Sequence, residues 1–111
     1  MDTEIAVKCF SALGHPRRLD VLRLLIKSAP DGLKAGEIAD KFGQPASTMS
    51  SHLRILSESS LVSWDRKGRE IYFRPNIDRV RDLILYLVAD CCGGQADKCE
   101  PLLAELLPCC P

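Results

Sequence analysis

Cysteine is nearly absent from the first ninety residues of this chain, where Cys9 stands alone. A fold stapled by disulfides is therefore not expected in that part. No apolar run reaches the roughly 18–20 residues that a bilayer-spanning helix requires. The start, "MDTEIAVKCF", carries acids early and no long apolar stretch, which argues against a secretory leader and for a cytoplasmic protein. There is no glycine-rich phosphate loop, and neither His15 nor His52 stands in a recognisable motif with a nucleophile, so no enzyme chemistry is expected. Internal repeats, low-complexity tracts and interdomain linkers are also missing. Net charge is zero, from 15 basic and 15 acidic residues, so the chain as a whole is not a polycation.

What is present is unevenly distributed. From His52 to Arg81 seven Arg and Lys residues face four acids, a net of +3, whereas from Asp82 to Pro111 five acids meet only Lys98, a net of −4. The positive stretch suits a nucleic-acid partner, although a solvated charged face has the same composition. A length of 111 residues and an apolar fraction of 46% fit one domain with a working core. We expect that domain over residues 1–92 and a cysteine-rich tail over 93–111.

Hydrophobic periodicity gives the order of elements. In "TEIAVKCFSAL", Ile5, Cys9 and Leu13 share a helical stripe that ends at Gly14. Pro16 stands at a permitted first-turn position of a second helix, with His15 beside its N-cap and Leu19, Leu22, Leu25 and Ile26 as its buried stripe. "PDG" at 30–32 marks a turn. A short helix in "AGEIADKF" points Ile38, Ala39 and Phe42 inward and ends at Gly43.

The next helix, "QPASTMSSHLRILSESS", buries Met49, Leu53 and Leu56. Its other side gathers Ser47, Thr48, Ser50, Ser51, His52 and Arg54. Serine and threonine are mediocre helix formers and poor choices for a merely solvated face. On a helix entering a DNA groove they permit close approach and bond phosphates and base edges. Gln44, just before this helix, belongs to the same candidate set. "LVSWDRKGREIYFRP" reads as a hairpin with a basic turn at Arg66–Arg69, closed by Pro75, which puts Lys67 and Arg69 on phosphate. The last helix starts at Asn76 or Asp78 and is apolar almost all round at "LILYLV". Its second side calls for cover by another copy of the chain, with Ile5, Cys9, Leu83 and Leu87 as the candidate shared face. Cys9 on its stripe also reads as a simple core thiol. Helices, a helix-turn-helix, a hairpin and a closing helix make a mainly α winged helix-turn-helix, expected to be a dimer on double-stranded DNA.

The stretches "LGHPRRLDVLRLL" and "GEIADKFGQPASTMSSHLRILSESSLVSWDRKGREIYFRP" resemble the ArsR/SmtB family of metal- and arsenic-responsive repressors over residues 5–91. The resemblance implies a homodimer that blocks an operator when empty and leaves it when a toxic ion binds. One sensing site of that family places cysteines in the first helix of the helix-turn-helix, where this chain has Ile38 and Ala39. Another uses His and carboxylates along the dimer helix, where this chain has Asp78, Asp82 and Asp90 but no His. A third carries a vicinal cysteine pair at the end of that helix and a further cysteine beyond it, which Cys91-Cys92 and Cys99 match.

As(III) and Sb(III) are soft centres that favour thiolates, and the resemblance supplies their three-sulfur geometry. Adjacent cysteines hold their Cα atoms about 3.8 Å apart, below the roughly 4.4–6.8 Å of an ordinary disulfide. They therefore stay available as ligands, and Gly93-Gly94 lets the chain turn back to bring Cys99. Cys109-Cys110 repeats the vicinal pattern and remains open between a second site, an alternate ligand pair and a frayed end. The same scaffold leaves room for methylarsenite, Cd(II), Pb(II) or thiol oxidation as the input. A thiol protein that binds no DNA is the rival from another class.

Overall fold

The computed structural model describes residues 1–88. Five helices and a three-stranded antiparallel sheet follow in the order α1 (Thr3–Leu13), α2 (Pro16–Lys27), β1 (Leu33–Lys34), α3 (Ala35–Phe42), α4 (Ala46–Glu58), β2 (Val62–Lys67), β3 (Glu70–Pro75) and α5 (Ile77–Val88). The mainly α winged helix-turn-helix expected from the sequence is present. The two-residue β1 was not foreseen. It pairs with β3 through Leu33–Phe73 and Lys34–Tyr72, so the sheet order is β1-β3-β2.

Local chemistry explains where the helices begin and end. Asp2 caps α1 by accepting from the Ile5 backbone N–H at 2.9 Å. His15 is itself the N-cap of α2, with Nδ1 accepting from the Arg17 N–H at 3.1 Å, and Pro16 follows where a missing N–H costs nothing. Gly43 ends α3 in the left-handed region at φ 61°, returning its N–H to Ala39 and Asp40. Asn76 caps α5, accepting from the Arg79 N–H at 3.3 Å. Its amide also donates to the Ser60 carbonyl at 2.9 Å, so one side chain ties the end of the recognition helix to the start of the last one.

The core is one cluster built from every helix, including Cys9, Val21, Leu25, Ile38, Met49, Leu53, Leu56, Leu61 and Leu83. Three expected stripes need adjustment. On α1 the buried positions are Ala6, Cys9 and Ala12, with Leu13 partly buried and Ile5 exposed. On α2 they are Val21, Leu22 and Leu25, while Leu19 and Ile26 face outward. The buried side of α1 is made of small residues, whereas that of α2 is made of Val and Leu.

The third adjustment concerns the shared face. Cys9 is fully buried inside the protomer, where its thiol donates to the Ser59 carbonyl at 3.5 Å, and Leu83 is buried in the same core. Neither can pack against a second copy. Burial pushes the Cys9 thiol above its ordinary pKa, against smaller pulls from Arg79 and Lys8, which suits an inert core thiol. Ile5 and Leu87 do lie outside, and Leu87 is 63% exposed. Val7, Phe10, Leu85 and Tyr86 are also exposed on the outer sides of α1 and α5. Thr3 and Tyr86 share a hydrogen bond of 2.6 Å between those two helices.

Candidate nucleic-acid interface

The recognition helix α4 is oriented by its apolar triad. At 100° per residue, Met49, Leu53 and Leu56 fall on one side, and all three are fully buried. Ser47, Ser51, Arg54 and Glu58 then point the other way, with Thr48 and Ser50 at the margins, and all six are exposed. The Ser51 hydroxyl donates to the Ser47 carbonyl at 3.3 Å within the helix. The side chains of Ser47, Thr48 and Ser50 are open to solvent on this side.

Two expected contacts are placed differently. His52 falls on the flank of α4 beside Leu53, half-buried, with its ring centroid 4.7 Å from that of His15. It packs α4 against the start of α2 and does not share the open face. The angular position follows from the sequence alone, since His52 is separated from Leu53 by one helical step and from Leu56 by four. Gln44 lies half-buried in the turn between α3 and α4. Its side-chain oxygen is buried and has no hydrogen-bond partner among the described residues.

Burial, then the His15 ring, Arg18 and Arg17, hold the His52 pKa below the ordinary imidazole value. The pattern "HPRR" by itself signals a helix start, and only the packing of α2 against α4 makes these residues neighbours of His52. Arg17 stacks its guanidinium 4.6 Å over the Phe42 ring, and Arg18 donates to the Ala12 and Ser11 carbonyls, closing the end of α1.

The wing follows the expected hairpin. Register runs from Val62–Pro75 to Lys67–Glu70, leaving a two-residue loop of Gly68 and Arg69. Gly68 adopts φ 65°, the conformation that a tight hairpin of this kind asks of its first loop residue. Lys67 and Arg69 are exposed beside Arg66 at the tip. The Lys67 ammonium lies 5.3 Å over the Tyr72 ring, a cation–π contact on an otherwise exposed side chain. Next to the loop, Glu70 accepts from Lys34, which reaches up from β1, at 3.2 Å and from the Tyr72 hydroxyl at 3.1 Å. The Lys34 hydrogen bond, followed by that of Tyr72, draws the Glu70 pKa down, and Glu70 in turn raises that of Lys34. Arg74 and Asp65 pair across the strands at 3.0 Å. Gly32 is required beneath this pair. Its φ is 82°, and a Cβ there would lie 2.8 Å from Arg74 Cγ and 2.9 Å from the Phe73 carbonyl.

A serine-rich helix face beside a basic hairpin tip is the geometry of a winged helix-turn-helix that reads DNA. A model of a helix-turn-helix domain matches residues 13–63. The nodulation protein NolR of Rhizobium meliloti is 35% identical over 99 residues, covering 89% of this chain and 78% of its own length. The chain belongs to the ArsR/SmtB family of transcriptional regulators.

Among solved structures, the homodimeric winged helix-turn-helix DNA-binding domain of Mb0332 from Mycobacterium bovis, described as a possible ArsR-family regulator, is 29% identical. The match covers 77% of each chain at a TM-score of 0.65. A possible transcriptional regulator for arsenical resistance is 26% identical over 69% of this chain and 77% of its own, with a TM-score of 0.61. These relatives and this fold are those of DNA-binding regulators and not of enzymes. Among the described residues no helix is long and apolar enough to cross a membrane, and no three potential ligands cluster as a metal site. Cys91, Cys92, Cys99, Cys109 and Cys110 lie outside the described residues.

Two outcomes follow for this regulator. Lys67→Ala and Arg69→Ala should each weaken binding to every DNA sequence and flatten the dependence of log affinity on log salt by about one unit. Anisotropy titrations across a salt series check this, and an unchanged slope in the double variant removes the wing from the interface. The lowered His52 pKa means that the unfolded chain takes up this proton more readily than the folded one. The resulting stability is complete above the unfolded imidazole value of about 6.5 and is lost as pH falls from there through the lowered folded value. Urea midpoints should drop between pH 7.5 and 5.5, and His52→Gln should shrink that drop; an equal drop in both proteins would refute the assignment.

Proposed function

We propose that this regulator is a homodimeric repressor of an arsenic-resistance operon, released from operator DNA when As(III) or Sb(III) binds Cys91, Cys92 and Cys99. The observation that carries the reading is the run Cys91-Cys92-Gly93-Gly94 with Cys99 beyond it, directly after the helix that bears the outer apolar surface. Val88 of α5 is followed only by Ala89 and Asp90 before the pair. The likeness to a possible regulator of arsenical resistance supports the same input. Acting on operator DNA with reduced thiols, such a repressor works in the cytoplasm.

The apolar surface of Ile5, Phe10, Leu85, Tyr86 and Leu87 supports the dimer. A second copy covering it sets the distance between the two α4 helices, which must match successive major grooves about 34–36 Å apart. An ion gripped just past α5 changes the helix that fixes that distance. Release by a factor of one hundred needs a coupling of about 2.7 kcal/mol. The same coupling requires DNA to weaken ion binding by the same factor.

Sedimentation at micromolar protein should give a dimer, with Leu87→Glu shifting it to a monomer. A monomer of unchanged mass at every concentration would end the dimer reading. Gel shifts on the chain's own promoter test the input. Cys91→Ser, Cys92→Ser and Cys99→Ser should each keep operator binding and lose release by arsenite, while Cys109→Ser with Cys110→Ser should matter less. If Cys99→Ser responds fully and the Cys109/Cys110 variant does not, the second pair is the sensor. Release by methylarsenite, Cd(II), Pb(II) or peroxide but not arsenite transfers the site to another input.

A further inference from the structure

An open cleft of about 380 Å³ runs between α4 and the wing. Its floor is apolar and comes from the sheet. Trp64 and Phe73 are direct cross-strand partners, and Ile71 follows on the same face. Trp64 is 58% exposed and Ile71 40% exposed, so an indole and a branched aliphatic chain stand side by side in solvent. The opposite wall is α4, which presents Ser50 and Ser57 to the cleft. These small side chains hold it open, whereas a leucine at either position would fill it.

The rim carries uneven charge. Arg54 lines the cleft and has no ion-pair partner among the described residues. Arg66 is the direct partner of Ile71 and shares that face of the sheet. The one carboxylate lining the cleft is Glu58. Two guanidiniums against one carboxylate favour an anion. A bare phosphate finds nothing to bond on the indole floor, and a wholly apolar molecule makes no use of Arg54. The volume lies at the small end of ligand pockets, enough for one or two rings.

We propose that this cleft binds a small flat organic acid, an aromatic carboxylate, with its ring on Trp64 and Ile71 and its carboxylate on Arg54. Arg54 also stands on the DNA-facing side of α4, so a bound acid withdraws it from DNA. The acid is therefore a second, antagonistic input, and DNA must weaken its binding by the same factor. This inference uses the DNA-facing helix and owes nothing to the cysteines, so it stands or falls apart from the arsenic reading.

The test uses the full-length protein, in which Trp64 is the single tryptophan and reports from the cleft itself. Benzoate and phenylacetate are titrated against Trp64 fluorescence, with benzylamine and benzyl alcohol as cationic and neutral counterparts. Saturable change is expected with the acids alone. Arg54→Gln should weaken it by about tenfold or more, and Glu58→Gln should strengthen it by removing the like charge. Circular dichroism confirms that both variants fold. Promoter DNA should raise the acid concentration needed for half-saturation. Equal binding of the amine or alcohol, or an Arg54→Gln protein that binds the acids unchanged, overturns the proposal. So does a Trp64 shift that depends on protein concentration without any acid, which would make a second copy the occupant. Acid binding indifferent to DNA would overturn the antagonism.

Discussion

Burial of the Met49, Leu53 and Leu56 face of α4 is the contact on which the rest of the molecule depends. Those three side chains disappear completely among Cys9, Val21, Leu25, Ile38 and Leu61. Each contributes about 1.5–3 kcal/mol by leaving water, and truncation of one to alanine removes about 2–5 kcal/mol. The same packing that stabilises the fold fixes the rotation of the helix. A helix buried on one side by three long residues has its opposite side determined, and here that side is Ser47, Ser51 and Arg54. Stability and recognition are two faces of one element, so neither can be altered at this helix without regard to the other.

The chain leaves α4 through a junction in which polar groups replace apolar ones. Ser59 is buried, its hydroxyl donating to the Leu56 carbonyl at 2.9 Å while its own carbonyl accepts from Cys9. Ser60 takes φ 63°, a conformation uncommon outside glycine, and its carbonyl accepts from Asn76. The Leu61 carbonyl accepts from the Asn76 N–H at 2.9 Å. Buried carbonyls need partners, and this set finds them on α1 and at the head of α5. The junction thereby connects the DNA-reading helix to the two helices that carry the outer apolar surface.

The architecture was legible wherever a periodic apolar pattern met clear punctuation. Met49, Leu53 and Leu56, the Gly43 stop, the Gly68 turn and the Pro75 end are each strong local signals, and the elements they mark are present. What escaped depended on contact between distant segments. Two residues such as Leu33 and Lys34 carry no period, and only their pairing with Phe73 and Tyr72 makes them a strand. On α1 the buried stripe runs through Ala6 and Ala12, residues too small to stand out in an apolar pattern. On α2 it runs through Val21, Leu22 and Leu25, and only the packing tells Val21 from the equally apolar Leu19 and Ile26. Cys9 and Leu83 fell to the protomer core because periodicity tells that a side is buried, not what buries it. The flank position of His52 follows from its spacing to Leu53 and Leu56, whereas its contact with His15 does not. The cleft beside Trp64 arises from two elements meeting and has no counterpart in either one alone.

The brevity of β1 has a mechanical consequence. β3 is flanked on both sides only at Tyr72 and Phe73, where Lys34 and Leu33 add a third strand. Toward Gly68 the wing is a two-stranded ribbon, and such ribbons gain little independent stiffness. The hairpin is thus held by backbone pairing at its root, while its loop end is tethered to β1 by one exposed ion pair, Lys34 with Glu70, and carries Arg66, Lys67 and Arg69. Salt weakens an exposed pair of this kind more than it weakens the backbone ladder at the root, so the stiffness of the loop end varies with ionic strength.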